Sequence, residues 1–335
     1  MKKSSKKGIW IVVIILAVIC AAAFYAGNFM CNYALLPDEH GNDFEGDRVK
    51  TEDRYPGIME WFDTLKAQGD EGGFRDTTLV GEGGFTLHAV YAPAADPDSA
   101  QGCAVVVHGY TDNHICFLNL VRMYRDSLNF NVMVPDLHYH GLSGGRAIQM
   151  GWLDRLDVEK FMVMAHEIWN DPFMVVHGVS MGGAATMMVS GDELPEYVSA
   201  FVDDCGYSSV WDQFAHNLKD SFHLPTFPVL DCASLVCRLR YGWSFREASS
   251  VRQLAKCDRP MLFIHGENDD FVPTSHVYVN YDAKTEGYKE LWIAPGSEHA
   301  MAFKDHPDEY TAKVRDFIAT AKALKEGDAA QTTNE

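Results

Sequence analysis

The sequence predicts an α/β architecture: an eight-stranded, mostly parallel sheet with helices on both faces. Three features lead there. From Phe74 onward, short apolar runs alternate with longer amphipathic ones, the order expected when a crossover helix follows each strand. The runs VVVHG, VMVPD, MVVHG, FVDDC and LFIHG are continuous and β-rich, as strands buried on both faces should be. With 335 residues, 47% apolar and 22% charged, the composition is that of a globular chain large enough for one such domain.

The amino terminus reads differently. MKKSSKK holds four lysines, and no charged residue follows until Asp38. Residues 9–26, IWIVVIILAVICAAAFYA, are uncharged and as a helix reach ~27 Å, close to the hydrocarbon thickness of a bilayer. Lysines before this segment and Asp38, Glu39, Asp43 and Glu45 after it predict a single-pass signal-anchor in the cell membrane, with residues 1–8 a cytoplasmic basic tail and the folded part outside. The rival is a cleaved signal peptide, with Ile9–Cys20 as its apolar region and Ala21–Ala23 as the cleavage site, which would make the protein secreted. The large Ile19 before Cys20 argues against a lipoprotein. Residues 27–72 read as a stalk and acidic linker, because Gly41, Gly46, Pro56 and Gly57 interrupt any period in the polar stretch.

The domain itself is placed at 73–325, with 326–335 as a disordered tail. Strands are expected near 74–80, 84–91, 103–108, 130–135, 173–178, 199–204, 260–265 and 289–294, the first two joined as a hairpin through GEGG. Helices fill the gaps near 113–127, 152–170, 181–190, 275–284 and 305–323. Residues 208–250 form a longer insertion rich in Trp, Phe, His, Leu and Pro, read as a small lid over the carboxyl ends of the strands, where open α/β sheets bind ligands. The net charge of −19 argues against a nucleic-acid partner. Eight cysteines permit disulfides in an exported domain, with Cys232 and Cys237 the pair to test, but buried thiols are the simpler reading.

The run FMVVHGVSMGGAAT contains G-x-S-x-G at Gly178, Ser180 and Gly182, with a strand before and a helix after. That is the setting of a nucleophile elbow. The turn is too tight for side chains two residues either side of the serine, and it lifts the hydroxyl to the amino end of a helix whose free N–H groups favour negative charge. The N–H of Met181 would face the oxyanion formed when Ser180 attacks a carbonyl. Such a serine needs a base, and the base a carboxylate. Among fourteen histidines, His299 in GSEHAM lies in a late loop, and His306 is its rival. After the strand MLFIHG, Glu267, Asp269 and Asp270 compete as the acid; Asp203 and Asp204 are further rivals. The pair His138 and His140 does not complete a zinc motif, and GLSGG at 141–145 lacks the ending of a phosphate loop, so no metal and no cofactor are expected.

VPDLHYHGLSGG before the elbow, and HGENDDFVP and GSEHAM after it, resemble motifs of the α/β-hydrolase superfamily over Phe74–Ile318. The resemblance implies Asp269 as the acid, His299 as the base, and the N–H of Tyr110, with Gly109 as fallback, as the second oxyanion donor beside Met181. His108 would then support that turn by hydrogen bonding. The chain looks most like membrane-tethered bacterial serine hydrolases grouped near serine aminopeptidases and monoglyceride lipases. The expected activity is cleavage of carboxylic esters or thioesters through a Ser180–Asp269–His299 triad, on a small acyl ester. A peptidase of the aminopeptidase type is the alternative, with Glu247 or Asp231 holding the substrate's ammonium. A membrane-tethered binding protein of the same fold is the reading from another class.

Overall fold

The computed structural model describes residues 3–332, with side chains described for residues 8–327. The strands are β1 (Arg75–Val80), β2 (Thr86–Ala92), β3 (Cys103–Val107), β4 (Asn131–Pro135), β5 (Met174–Val179), β6 (Val198–Asp204), β7 (Met261–Gly266) and β8 (Lys289–Ala294). They form one sheet in the order β1-β2-β4-β3-β5-β6-β7-β8. β2 is antiparallel to β1 and to β4, and every other neighbouring pair is parallel. Along β3, Cys103, Val105 and Val107 enter one core while Ala104 and Val106 enter the other, the period-2 consequence of a strand buried on both faces. β3 lies between β4 and β5, so winding reverses there. The turns leaving β3 and β5 therefore meet at a switch point, the crevice where open α/β sheets bind ligands.

The helices are α1 (Lys3–Leu35), α2 (Phe44–Arg54), α3 (Ile58–Gln68), α4 (Leu118–Arg122), α5 (Asp154–Trp169), α6 (Met181–Val189), α7 (Val210–Phe222), α8 (Thr226–Tyr241), α9 (Ser250–Leu254), α10 (Ser275–Ala283), α11 (Ala302–Asp305) and α12 (Pro307–Thr332). The expected 113–127 helix is shorter, because only α4 is α-helical and Met123–Ser127 winds as a π-turn. The 208–250 insertion is α7 and α8. It is pinned at its base by an isolated bridge between Ser209 and Ser249, and the Ser209 side chain caps α7 by accepting the N–H of Asp212 at 3.0 Å.

The stalk expected at 27–72 is not there. α1 continues through the apolar segment without a break to Leu35, because nothing in NFMCNYALL stops a helix before Pro37. Gly27, Cys31 and Leu35, four residues apart, form a stripe on one face. Cys31 and Leu35 are fully buried, and a side chain on Gly27 would overlap Cys232 and Ala233 of α8. α3 buries Ile58, Met59, Phe62 and Leu65 in the same core as Phe74, and α2 is capped by the Asp43 carboxylate. Residues 44–68 are thus part of the domain. The disordered tail expected at 326–335 is also corrected: α12 carries the chain as helix to Thr332, and 333–335 lie outside the described residues.

All eight cysteines are free, five of them buried, so Cys232 and Cys237 form no disulfide. α1 contains the one described segment, Gly8–Leu35, long and apolar enough to cross a membrane. The large apolar side chains from Ile9 to Tyr25 are exposed, and full burial begins at Gly27.

The α1–α8 contact yields a test. Gly27→Leu should overpack that seam at a cost of about 1–3 kcal/mol. The expected result is a lower midpoint of thermal unfolding in detergent, measured by scanning fluorimetry, whereas Gly8→Leu, which has open space around it, leaves the midpoint unchanged.

Candidate active site

The site starts from a steric constraint. A Cβ on Gly178 would overlap the carbonyl oxygen of Gly182, and one on Gly182 would overlap that of Val107 at the end of β3. Only glycine permits backbone this close. Between them Ser180 takes φ 58° and ψ −116°, a conformation side chains rarely adopt, held by its N–H donating to the Asp204 carbonyl at 2.7 Å. The hydroxyl is thereby set at the start of α6, 8% exposed.

His299 reaches it from the loop after β8. Its Nε2 lies 2.8 Å from Ser180 Oγ and its Nδ1 2.7 Å from Asp269 Oδ2. Asp269 is buried in the turn after β7, where Oδ1 accepts the N–H groups of Phe271 (3.1 Å) and Val272 (2.9 Å), and His265 Nε2 stands 3.2 Å from Oδ2. Burial would raise its pKa, but hydrogen bonds from His265 and His299 outweigh that and hold it at about 2. An ionised carboxylate on Nδ1 fixes the tautomer that leaves Nε2 free to accept the serine proton.

The rivals lie elsewhere. Asp270 and Glu267 are exposed; the Asp270 carbonyl meets His216, and Glu267 accepts the N–H of Gly296. Asp204 accepts the Tyr310 hydroxyl at 2.9 Å, and Asp203 accepts the N–H of Gly206 at 3.0 Å. His306 bonds the Pro295 carbonyl. Met181 opens α6, and Tyr110 follows the His-Gly turn after β3; both line the cavity that holds Ser180. Among the described residues, neither backbone N–H has a protein acceptor. His108 ties that turn in place, its Nε2 accepting the Leu137 N–H at 2.9 Å and its Nδ1 donating to the Gly109 carbonyl at 2.8 Å. Burial lowers its pKa to about 4, so the ring is neutral.

Two clusters bring potential metal ligands together: His88, His114 and Asp136, and Cys205 with Asp269 and His299. In the first, Asp136 takes His88 Nδ1 at 2.9 Å, His114 Nδ1 at 3.0 Å and the N–H groups of His114 and Leu142, so protons already fill its lone pairs and it acts as a hydrogen-bond hub. In the second, the histidine proton occupies the carboxylate. His138 and His140 use Nε2 to accept the N–H groups of Arg146 and Thr111.

The cavity is about 500 Å³ and mostly apolar. Phe214, Leu230 and Phe245 line it from the insertion, and Met30, Tyr33, Ala34 and Leu36 from α1 and the residue after it. The α1 wall was missed in the sequence, although the unbroken helix-forming run up to Pro37 signalled it.

Residues 149–325, more than half of the chain, match the profile of the prolyl oligopeptidase family. The YqkD protein of Bacillus subtilis is 30% identical over 223 residues, covering 66% of this chain and 72% of that one. The chain belongs to the prolyl oligopeptidase family. The matched region carries the elbow, the Asp269 turn and the His299 loop. Among solved structures, the Pyrococcus furiosus esterase Pf2001 superposes with a TM-score of 0.60 at 18% identity, over 75% of this chain and 92% of the esterase. The Pyrococcus horikoshii acylaminoacyl peptidase gives 0.55 at 15% identity, over 75% of this chain and 41% of the peptidase. Both are likenesses of fold, and they establish the α/β-hydrolase architecture with esterase and peptidase neighbours.

The buried carboxylates of this family member give a pH test. Burial raises the pKa of Asp203 to about 7 from its ordinary 3.8, with neighbouring Asp204 adding to the rise and His265 opposing it. The folded state then holds a proton that the unfolded chain releases, so stability falls as pH rises between those values. Asp203→Asn removes that loss. It should unfold at the same temperature as the wild type at pH 4 and at a higher one at pH 8, as read by scanning calorimetry.

Proposed function

We propose that this chain is a serine hydrolase that cleaves carboxylic esters or thioesters through an acyl-enzyme. The observation that supports it is the continuous hydrogen-bonded line from Ser180 Oγ through His299 to Asp269 Oδ2, at 2.8 and 2.7 Å. Ser180 Oγ attacks the carbonyl carbon as His299 Nε2 takes its proton, and Asp269 stabilises the imidazolium. The N–H groups of Met181 and Tyr110 receive the oxyanion. The imidazolium then protonates the leaving alkoxide or thiolate, and water, deprotonated by His299, repeats the attack and frees Ser180. α1 serves as the membrane anchor, its lysine-rich end in the cytoplasm and the folded domain outside.

The apolar lining favours an acyl group over a peptide. Glu247 and Asp231, the expected ammonium partners, pair instead with Arg238 (2.6 Å) and Arg246 (3.7 Å) and do not line the cavity. One observation favours the peptidase alternative: Asp38, the single acidic lining residue, stands exposed at the rim, where a substrate's amino group would reach it.

The wild type should react with a fluorophosphonate probe and Ser180→Ala should not. Asp269→Asn should lose about 10³- to 10⁴-fold in kcat with little change in KM, because the wrong tautomer faces the serine. p-Nitrophenyl acyl esters should turn over and aminoacyl-nitroanilides should not; turnover of the nitroanilides alone would replace the esterase reading with the peptidase one.

A further inference from the structure

The cavity extends from Ser180 and Met181 to Met30 and Tyr33 of α1, Phe222 at the end of α7, and Val229 and Leu230 at the start of α8, all of which line it. The direction of α8 decides what that far end faces. Ala233 packs against Gly27, while Arg240 donates to the side chains of Asn28 (2.5 Å) and Asn32 (2.6 Å). Later residues of α8 thus meet later residues of α1, and the two helices run parallel. At 1.5 Å per residue, Pro228 lies roughly 8 Å nearer the amino end of α1 than Ala233 does. The α7–α8 connection therefore runs from Tyr33, on which Phe222 packs at 5.3 Å, back to the stretch of α1 where every large apolar side chain is exposed, including Phe24 (45%) and Tyr25 (75%). The connection, HLPTF, turns two large apolar side chains outward, Leu224 exposed by 38% and Phe227 by 76%.

We propose that residues 223–227 are a membrane-inserted edge of the lid, and that the substrate is an acyl ester dissolved in the bilayer, which enters the cavity between this edge and α1. The proposal rests on the ester-hydrolase reading and on α1 crossing the membrane. The occupant of the exposed apolar edge is the lipid phase, because α1 continues the same apolar surface into it. Leu224 and Phe227 anchor the insertion at the depth where α1 changes from exposed to docked, so the acyl chain need never cross water to reach Ser180. The α1 residues that line the cavity make the anchor helix part of the binding site.

The test uses the full chain reconstituted in phosphatidylcholine vesicles, with a long-chain monoacylglycerol in the vesicles and p-nitrophenyl acetate in the water. The double substitution Leu224→Ser and Phe227→Ser should reduce kcat/KM on the embedded ester about tenfold or more, the magnitude one phenylalanine's transfer out of water supplies, and leave the soluble ester within about twofold. Phe227→Trp, which keeps an apolar wedge, should retain the wild-type ratio of the two rates. An unchanged ratio in the double variant, or a vesicle-independent dimer that only the double variant dissolves, would overturn the proposal. If the wild type neither labels with fluorophosphonate nor hydrolyses the soluble ester, the hydrolase reading fails instead. Hydrogen exchange of the 223–227 amides then still judges the edge, slower in vesicles if it inserts and unchanged if it does not.

Discussion

The contact on which this structure depends is the passage of three backbone segments through one point, where Gly178 meets Gly182 and Gly182 meets the end of β3. It fixes the angle between β5 and α6 and forces Ser180 into a positive φ. It also brings the turn after β3 against the serine: a Cβ on Gly109 would stand 3.6 Å from Ser180 Cβ. Ser180 and both proposed oxyanion donors are therefore set by main-chain packing, which gives little when side chains elsewhere move. The strain at Ser180 is stored where the surrounding sheet over-determines it.

Electrostatics then divides carboxylates that lie close together. Asp269 collects donors on both oxygens and stays ionised; Asp203 and Asp204, at the end of the neighbouring strand, are buried with fewer donors and hold their protons to about 7 and about 6. Tyr310 donates to Asp204, and His177 Nε2 bonds the Tyr310 oxygen at 2.8 Å, so a polar chain runs under the elbow. Asp269 is the carboxylate bonded to His299 Nδ1, and that hydrogen bond orients the ring.

How much of this was legible in the sequence follows from what each segment's signal depends on. All eight strands fall within two residues of the expected bounds, and the inner strands β3 to β7 were the plainest, because a strand buried on both faces reads as a nearly continuous apolar run. Ser180, Asp269 and His299 were readable because each sits at a strand end in a short loop with demanding backbone geometry. α2 was not: it buries only Asp47 and Thr51, so no apolar stripe distinguishes it from a linker. The extension of α1 was hidden for another reason. A membrane segment is bounded in sequence by thickness, and a helix that leaves the bilayer intact and docks on protein keeps the same composition past that bound.

That extension changes what the proposed anchor is. The last carbonyls of a helix lack intrahelical donors, and in α1 two of them are satisfied by the domain: Ala34 accepts the Tyr110 hydroxyl at 2.9 Å and Leu35 accepts the Ile148 N–H at 2.9 Å. Tyr110 is the residue whose own N–H faces the proposed oxyanion position. Its side chain is thus held by α1 while its backbone N–H is one of the two proposed oxyanion donors. A tether joined to its domain through a flexible stalk would leave the catalytic groups indifferent to the membrane. Here the helix end, the cavity wall and a proposed oxyanion donor are bonded into one unit, so on the proposed topology the orientation of the domain on the bilayer and the geometry around Ser180 are set by the same few contacts.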